Sequence, residues 1–248
     1  ASKTFIGYSE DLPFVGFNGA TSGAYARKHN PWVNWQGAPI NGIPDTLNQP
    51  FTAFPSNYDL LPSVSFVIPN QNNDMHNGSD PTKITVGDSW LQTNLDGYIQ
   101  WAKTHNSLLI ITFDEDDNSA AQNIFTLFIG QMVQHGTYTN HIDHYNVLHV
   151  LEDMFNLPHA GASATATTID YCWIACSQAA LITPPGPVSL CPGTSVTLNA
   201  SSSLSYLWSN GATTPSITVS SPGNYSVTLS DGSGCVGTSS SVAVTASS

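Results

Sequence analysis

Three unbroken apolar runs constrain this chain more than any other feature. "SVSFVIP" (63–69), "LLIITF" (108–113) and "NIFTLFIG" (123–130) show no polar alternation, the pattern of strands covered on both faces. Between the first two lies "GDSWLQTNLDGYIQWAKTH", where Trp90, Leu91, Leu95, Tyr98, Ile99 and Ala102 recur at helical spacing and Asp88 is the candidate N-cap. Strand, helix and strand in succession predict a βαβ unit. A second helix, "DHYNVLHVLEDMF", follows the third run and ends before Pro158. The expected class is α/β, with helices on the faces of the sheet and ligands at the carboxyl ends of its strands. The loops 69–87 and 114–122 stand at those ends.

The texture changes at "LITPPGPVSLCPG". From Ile182 to Ser248 the only charged residue is Asp231, and the short runs "SVTLNA", "LSYLWS", "PSITVS", "GNYSVTLS" and "SSVAVTAS" are separated by Gly, Pro, Asn and Ser. A small all-β sandwich is expected over 182–248, beside an α/β domain over 1–181. Trp208 is assigned to its core, and alternation allows Tyr206 and Tyr225 to join it. The four cysteines fall as Cys172 and Cys176 in "YCWIACS", then Cys191 and Cys235 in the tail. Neither pair has zinc-site spacing, so two disulfides in an oxidising compartment are expected, with Cys191 and Cys235 able to staple the sandwich.

Charge narrows the partners. Five basic against 17 acidic residues give a formal charge of −12, which argues against nucleic acid or an anionic membrane surface. No apolar run is long enough to span a bilayer. Cations are the natural partners, and the densest place for one is Asp114, Glu115, Asp116 and Asp117, directly after "LLIITF". Adjacent carboxylates repel, partial burial would make them costly, and no lysine or arginine occurs after Lys103. A divalent metal ion is the economical counter-charge. An EF-hand begun at Asp114 fails, because its sixth position is Ser119 and its twelfth Phe125. Asp74 and His76 in "VIPNQNNDMHNGSD" are expected beside the acidic cluster across a parallel βαβ pair, and His29 follows Arg27 and Lys28 in "YARKHNPW". Carboxylates for a metal and imidazoles for an anion make a coherent site.

"GYSEDLP", "YARKHNPW", "VIPNQNNDMHNGSD" with "GDSWL", "LLIITFDED", "FIGQMV" and "HYNVLHVLEDMFNLPHAG", in that order over residues 4–161, resemble the phosphoesterase family of bacterial acid phosphatases and phospholipases C, within the alkaline phosphatase superfamily. The resemblance implies a secreted bacterial hydrolase of phosphate esters, with a Ser or Thr nucleophile resting on a metal ion. It implies Asp114 and Glu115 as metal ligands, His29 and His76 as contacts to the phosphoryl group, and Asp74 as a further metal-side carboxylate. His144 matches a family motif but reads as structural among Val147, Leu148 and Leu151. The family's nucleophile and an early Glu-Asn pair lie upstream of motifs like these, so residues 1–181 are expected to be the second half of a catalytic domain, the first half being a preceding segment or a separate chain. The tail resembles the immunoglobulin-like and PKD-like modules of secreted bacterial enzymes, which act as spacers or in cell-surface and glycan contacts. The competing expectation is a non-catalytic extracellular assembly protein, built on a phosphoesterase-like fragment with an adhesive module.

Overall fold

The computed structural model describes residues 3–36, 42–116, 121–174, 179–231 and 235–247. The chain divides into two compact units, residues 1–101 with 152–158, and residues 102–151 with 159–248.

In the first unit the strands are β1 (Phe5–Ser9), β2 (Thr21–Ser22), β3 (Tyr25–Ala26), β4 (Asn48–Pro50) and β5 (Val64–Ile68), followed by helix α1 (Thr82–Ala102). β2 and β3 form a small hairpin. The sheet is wholly parallel in the order β4-β1-β5, with Gly7 opposite both Asn48 and Phe66. The run 63–69 is a strand as expected, but it pairs with "FIGYS", a segment too short and too interrupted by Gly7 to read as a buried strand. That glycine is a packing requirement: a Cβ there would collide with the indole of Trp32. Rings then fill the space, Phe5 against Trp32 and Phe66, and Tyr8 against Phe54.

Helix α1 begins six residues before Asp88, which is therefore an exposed interior residue and not a cap. Its first turns carry exposed Ile84 and Val86, so apolar periodicity could not mark the start. The stripe itself is as expected, with Trp90, Leu95, Tyr98 and Ala102 buried.

The second unit opens with β6 (Leu109–Thr112) and β7 (Thr126–Ile129). These strands pair antiparallel, Leu109 opposite Ile129 and Thr112 opposite Thr126. The expected parallel neighbourhood of the first two apolar runs is thus replaced by two separate pairings, β5 with β1 and β6 with β7. An apolar run records burial and is silent on its partner and on strand direction. Nor is either strand covered on both faces: β5 and β6 contain no fully buried residue, as expected of an edge strand and of a two-stranded sheet.

Helix α2 (His144–Phe155) is closed at its start by Asp143, whose Oδ1 accepts the N–H groups of Tyr145 and Asn146, while Asn146 Oδ1 accepts the Asp143 N–H in return. It ends at Asn156, in the left-handed region at φ 52°.

The remainder is β-rich: β8 (Ile182–Thr183), β9 (Val188–Leu190), β10 (Val196–Ala200), β11 (Ser205–Trp208), β12 (Ser216–Val219), β13 (Gly223–Tyr225), β14 (Val227–Ser230), β15 (Val236–Thr238) and β16 (Val242–Ala246). They form three sheets, β12-β10-β8, β11-β14-β15 and β13-β16-β9, around one apolar core. Leu198, Val227 and Leu229 are wholly inaccessible, Trp208 is buried with its Nε1–H donated to Thr214 O, and Tyr206 and Tyr225 pack at the margin. "GNYSVTLS" is two strands and not one. At Ser226 the backbone leaves the sheet of β16 for that of β11, and its N–H and C=O are taken by Ser209 Oγ and Ser209 N–H.

The cysteine expectation needs correcting. Cys172 and Cys191 are free thiols, so neither Cys172 with Cys176 nor Cys191 with Cys235 is joined. Cys191 is exposed, whereas Cys172 is buried in a small cluster with Val150 and Ile169. Cys176 lies outside the described residues. Burial pushes the Cys172 thiol above its ordinary pKa, and the neighbouring Asp170 adds to the shift.

Candidate active site

The parallel register of the first unit decides where its polar residues meet. Ser9 lies opposite Ile68, and Glu10 N–H extends the ladder to Ile68 O at 2.9 Å. The chain leaving β1 and the loop leaving β5 therefore start side by side. Glu10 and Asp11 face that loop without any lysine or arginine, and asparagine amides answer them. Asn70 N–H and Asn73 Nδ2 donate to the Glu10 carboxylate at 2.9–3.0 Å, and Asn70 Nδ2 donates to Asp11 at 2.8 Å. Asn70 Oδ1 in turn accepts the N–H groups of Asn72 and Asn73. On its other side the loop packs on α1 at Gly87, where a Cβ would lie 2.5 Å from Met75 Cε and 3.2 Å from Asn73 O. Glu10, Asn70 and Asn73 were not singled out from sequence, because their role depends on "FIGYS" being the neighbouring strand.

This scaffold presents Asp74 and His76. Met75 takes φ 70°, a left-handed turn that returns the His76 N–H to Asp74 Oδ1 at 2.8 Å. Asp74 Oδ2 receives His29 Nδ1 at 2.8 Å, with the two side chains 19% and 16% exposed. The rings of His29 and His76 stand 5.2 Å apart, and Lys28 Nζ reaches His76 Nε2 at 3.0 Å.

His29 closes a short 3-10 turn, Arg27–His29, whose flanks are firmly held. Tyr25 and Ala26 are buried before it, and Asn30 after it. Asn30 accepts from Ser9 Oγ at 2.5 Å and donates to Ala26 O at 3.0 Å. Burial raises the Tyr25 phenol above its usual value, with the charge on Arg27 opposing the shift, so it stays protonated.

The acidic cluster belongs to the second unit. Asp114 and Glu115 follow β6 and are both exposed, while Asp116 is half-buried. Asp117 lies outside the described residues. His144 Nε2 engages Phe113 O at 2.9 Å and so pins the residue just before the carboxylates, which gives this histidine the structural task assigned to it. Two exposed carboxylates of adjacent residues are hard oxygen donors suited to a divalent cation. On α2 and the turn after it, His149, Asp153 and His159 offer ligand atoms that all lie within 4.8 Å of one another. His149 and His159 are stacked at 3.9 Å, and His149 Nδ1 meets Ser163 O at 2.7 Å.

Chemically, a carboxylate on Nδ1 fixes an imidazole's orientation and tautomer, leaving Nε2 to give or take a proton. Chains with related sequences act on phosphate esters. Over 175 residues the protein is 50% identical to the phosphatidylinositol-3-phosphatase of Mycobacterium tuberculosis, covering 70% of this chain and 56% of that one. It is 29% identical over 167 residues to the phosphate-repressible acid phosphatase of Penicillium chrysogenum, and 27% identical over 169 residues to a probable acid phosphatase of Kluyveromyces lactis. Those two matches cover 62% of this chain and 40% and 39% of the fungal proteins. The chain thus spans about half, or less, of the length of these relatives. No solved structure matches it. The family match runs over residues 1–158, more than half of the chain and the whole of the Glu10–Asn73 scaffold with its Asp74–His29 pair, and the chain belongs to the phosphoesterase family.

Proposed function

We propose that this chain supplies the phosphoryl-facing histidines and the metal-ligating carboxylates of a secreted, metal-dependent phosphomonoesterase. The observation that carries the reading is the 2.8 Å contact of His29 Nδ1 with Asp74 Oδ2 in a half-buried setting. Asp74 has both oxygens engaged by its own unit, one by His29 and one by the His76 N–H. One part of Asp74 is thus to orient His29, and each of its oxygens keeps a second lone pair with which it could serve as a further metal-side carboxylate. His29 Nε2 then serves to protonate the leaving oxygen or hold the phosphoryl group, and His76 marks its second edge. Asp114 and Glu115 would hold the metal, which when bound supplies Lewis-acid stabilisation of phosphoryl charge. A monoester is favoured because the three relatives are all named as phosphatases. We further propose an alkaline phosphatase-like catalytic domain completed by sequence upstream of these motifs, and an immunoglobulin-like module over 182–248.

The test is release of inorganic phosphate from p-nitrophenyl phosphate by the protein that carries this chain, before and after chelation and for three variants. Chelation and Asp114→Ala should each abolish turnover. His29→Gln should lower it about 10²–10⁴-fold, the range for a positioned acid or base, and Asp74→Asn by less. A His29→Gln protein that folds and turns over at the parental rate would remove this site from the chemistry.

A further inference from the structure

The two histidines that flank Asp74 look equivalent in sequence, but their surroundings differ at every nitrogen. His29 gives Nδ1 to a carboxylate. His76 has an ammonium on Nε2, from Lys28 at 3.0 Å, and an amide oxygen on Nδ1, from Asn77 Oδ1 at 3.3 Å. A lysine ammonium has three donors and no acceptor, so the ring nitrogen facing it must carry the lone pair. The proton of the neutral ring then sits on Nδ1, pointing to an oxygen that can accept it. Asn77 is itself oriented for this, since its Nδ2 donates to Asn72 Oδ1 at 3.0 Å and so turns its own Oδ1 toward the ring.

The choice of Lys28 is not forced by a shortage of carboxylates in a chain with 17 acidic residues. Lys83 takes the ordinary course and meets Asp80 at 3.6 Å, Lys3 lies over the Phe155 ring, and Arg27 donates to Asn18 O. Lys28 meets an imidazole instead. Together with its neighbour His29 it forms a two-point clasp, position 28 on His76 and position 29 on Asp74.

We propose that Lys28 is a positioning residue that holds His76 in the Nδ1–H tautomer and occupies its Nε2, so that of the two rings only His29 has an Nε2 unengaged among the described residues. Resting on the phosphoesterase reading of this site, the inference divides the labour between the two rings: His29 handles the proton, and His76, with the Lys28 ammonium, forms a cationic edge for the phosphoryl oxygens.

Long-range imidazole 15N–1H correlation spectra of the 15N-labelled chain, taken at mildly alkaline pH, read the tautomer directly. His76 is assigned by its loss in His76→Gln. The expected result is a predominantly Nδ1–H ring at His76 in the parent, reversal to the Nε2–H form usual for an unconstrained imidazole in Lys28→Met, and recovery of Nδ1–H in Lys28→Arg. A His76 that is Nε2–H in the parent, or that stays Nδ1–H in Lys28→Met, would overturn the proposal. The His29 signal, expected as Nδ1–H in the parent and both Lys28 variants, shows that the loop has kept its shape. No turnover is needed for this reading, so a chain without hydrolytic activity would sink the functional assignment and leave the tautomer result standing.

Discussion

The first unit and the β-rich region are built on different principles. Around β1 the most deeply buried side chains include three polar ones: Ser9, Asn30 and Asn48 are at most 1% exposed, and each is bonded to another segment. Asn48 accepts from Trp32 Nε1 and donates to Phe17 O, tying β4 to two segments outside the sheet. Around β14 the core is a cluster of ten buried hydrophobic side chains from seven strands, with the Trp208 N–H the one polar group among them. Apolar burial is non-directional and tolerates any partner of the right volume, whereas a buried amide specifies which atom it meets. Loops that must hold Asp74 and His29 to within a fraction of an ångström are held by the second kind of contact. A module that needs only to stay folded can rely on the first.

The largest effect should come from the apolar side. Leu229→Ala removes a side chain of zero exposure from the centre of that core, at a cost of about 2–5 kcal/mol for a buried leucine whose site cannot collapse. Trp208, buried in the same cluster, reports it by fluorescence during denaturant unfolding. The imidazole signals of His29 and His76 should not move, and a shift in them would show that the β-rich core and the histidine site depend on each other.

Ser9→Ala should do the opposite. It deletes one hydroxyl and strands Asn30 Oδ1, an expected loss of about 1–3 kcal/mol. Its consequence for function should exceed that loss, because Asn30 follows His29 directly and anchors the turn that aims it. Line broadening or doubling of the His29 signal in Ser9→Ala, with a smaller loss of stability than in Leu229→Ala, is the expected signature. Equal damage to stability and no change at His29 would erase the distinction between the two kinds of core.

The same difference explains what was legible in the sequence. The β-rich region announced itself because alternation, small turn residues and near-absence of charge repeat over nearly 70 positions, and an apolar core follows from pattern alone. The buried stripe of helix α1, though not its start, was legible from apolar spacing, and so was helix α2, down to the Asp143 start and the stop before Pro158. Strand pairing was not. Whether "SVSFVIP" lies beside "LLIITF" or beside "FIGYS" depends on long-range packing, in this case on Gly7 accepting the Trp32 indole. The candidate residues His29, His76 and Asp74 were found by motif, and their grouping on one scaffold came out in the coordinates. Glu10, Asn70 and Asn73 escaped, since a carboxylate answered by asparagine amides leaves no charge pattern to read.

The smallest perturbation probes the cysteines, where pairing by sequence order failed. Cys191 is an exposed free thiol beside β9, and Cys172 is buried against Val150 and Ile169. Alkylation proceeds through the thiolate. At Cys172 burial both blocks access and raises the pKa, so a higher pH is needed to populate the reactive form. Iodoacetamide at mildly alkaline pH should therefore label Cys191 alone in the native protein, with Cys172 labelled only after guanidinium unfolding, as read by peptide mass mapping. Cys191→Ser should leave stability within about 0.5 kcal/mol of the parent, as at other exposed positions. Protection of Cys191 in the native state, lifted only by a reductant, would instead mean that it is held in a disulfide. The β-rich region would then owe part of its stability to a cross-link and not to its apolar core alone.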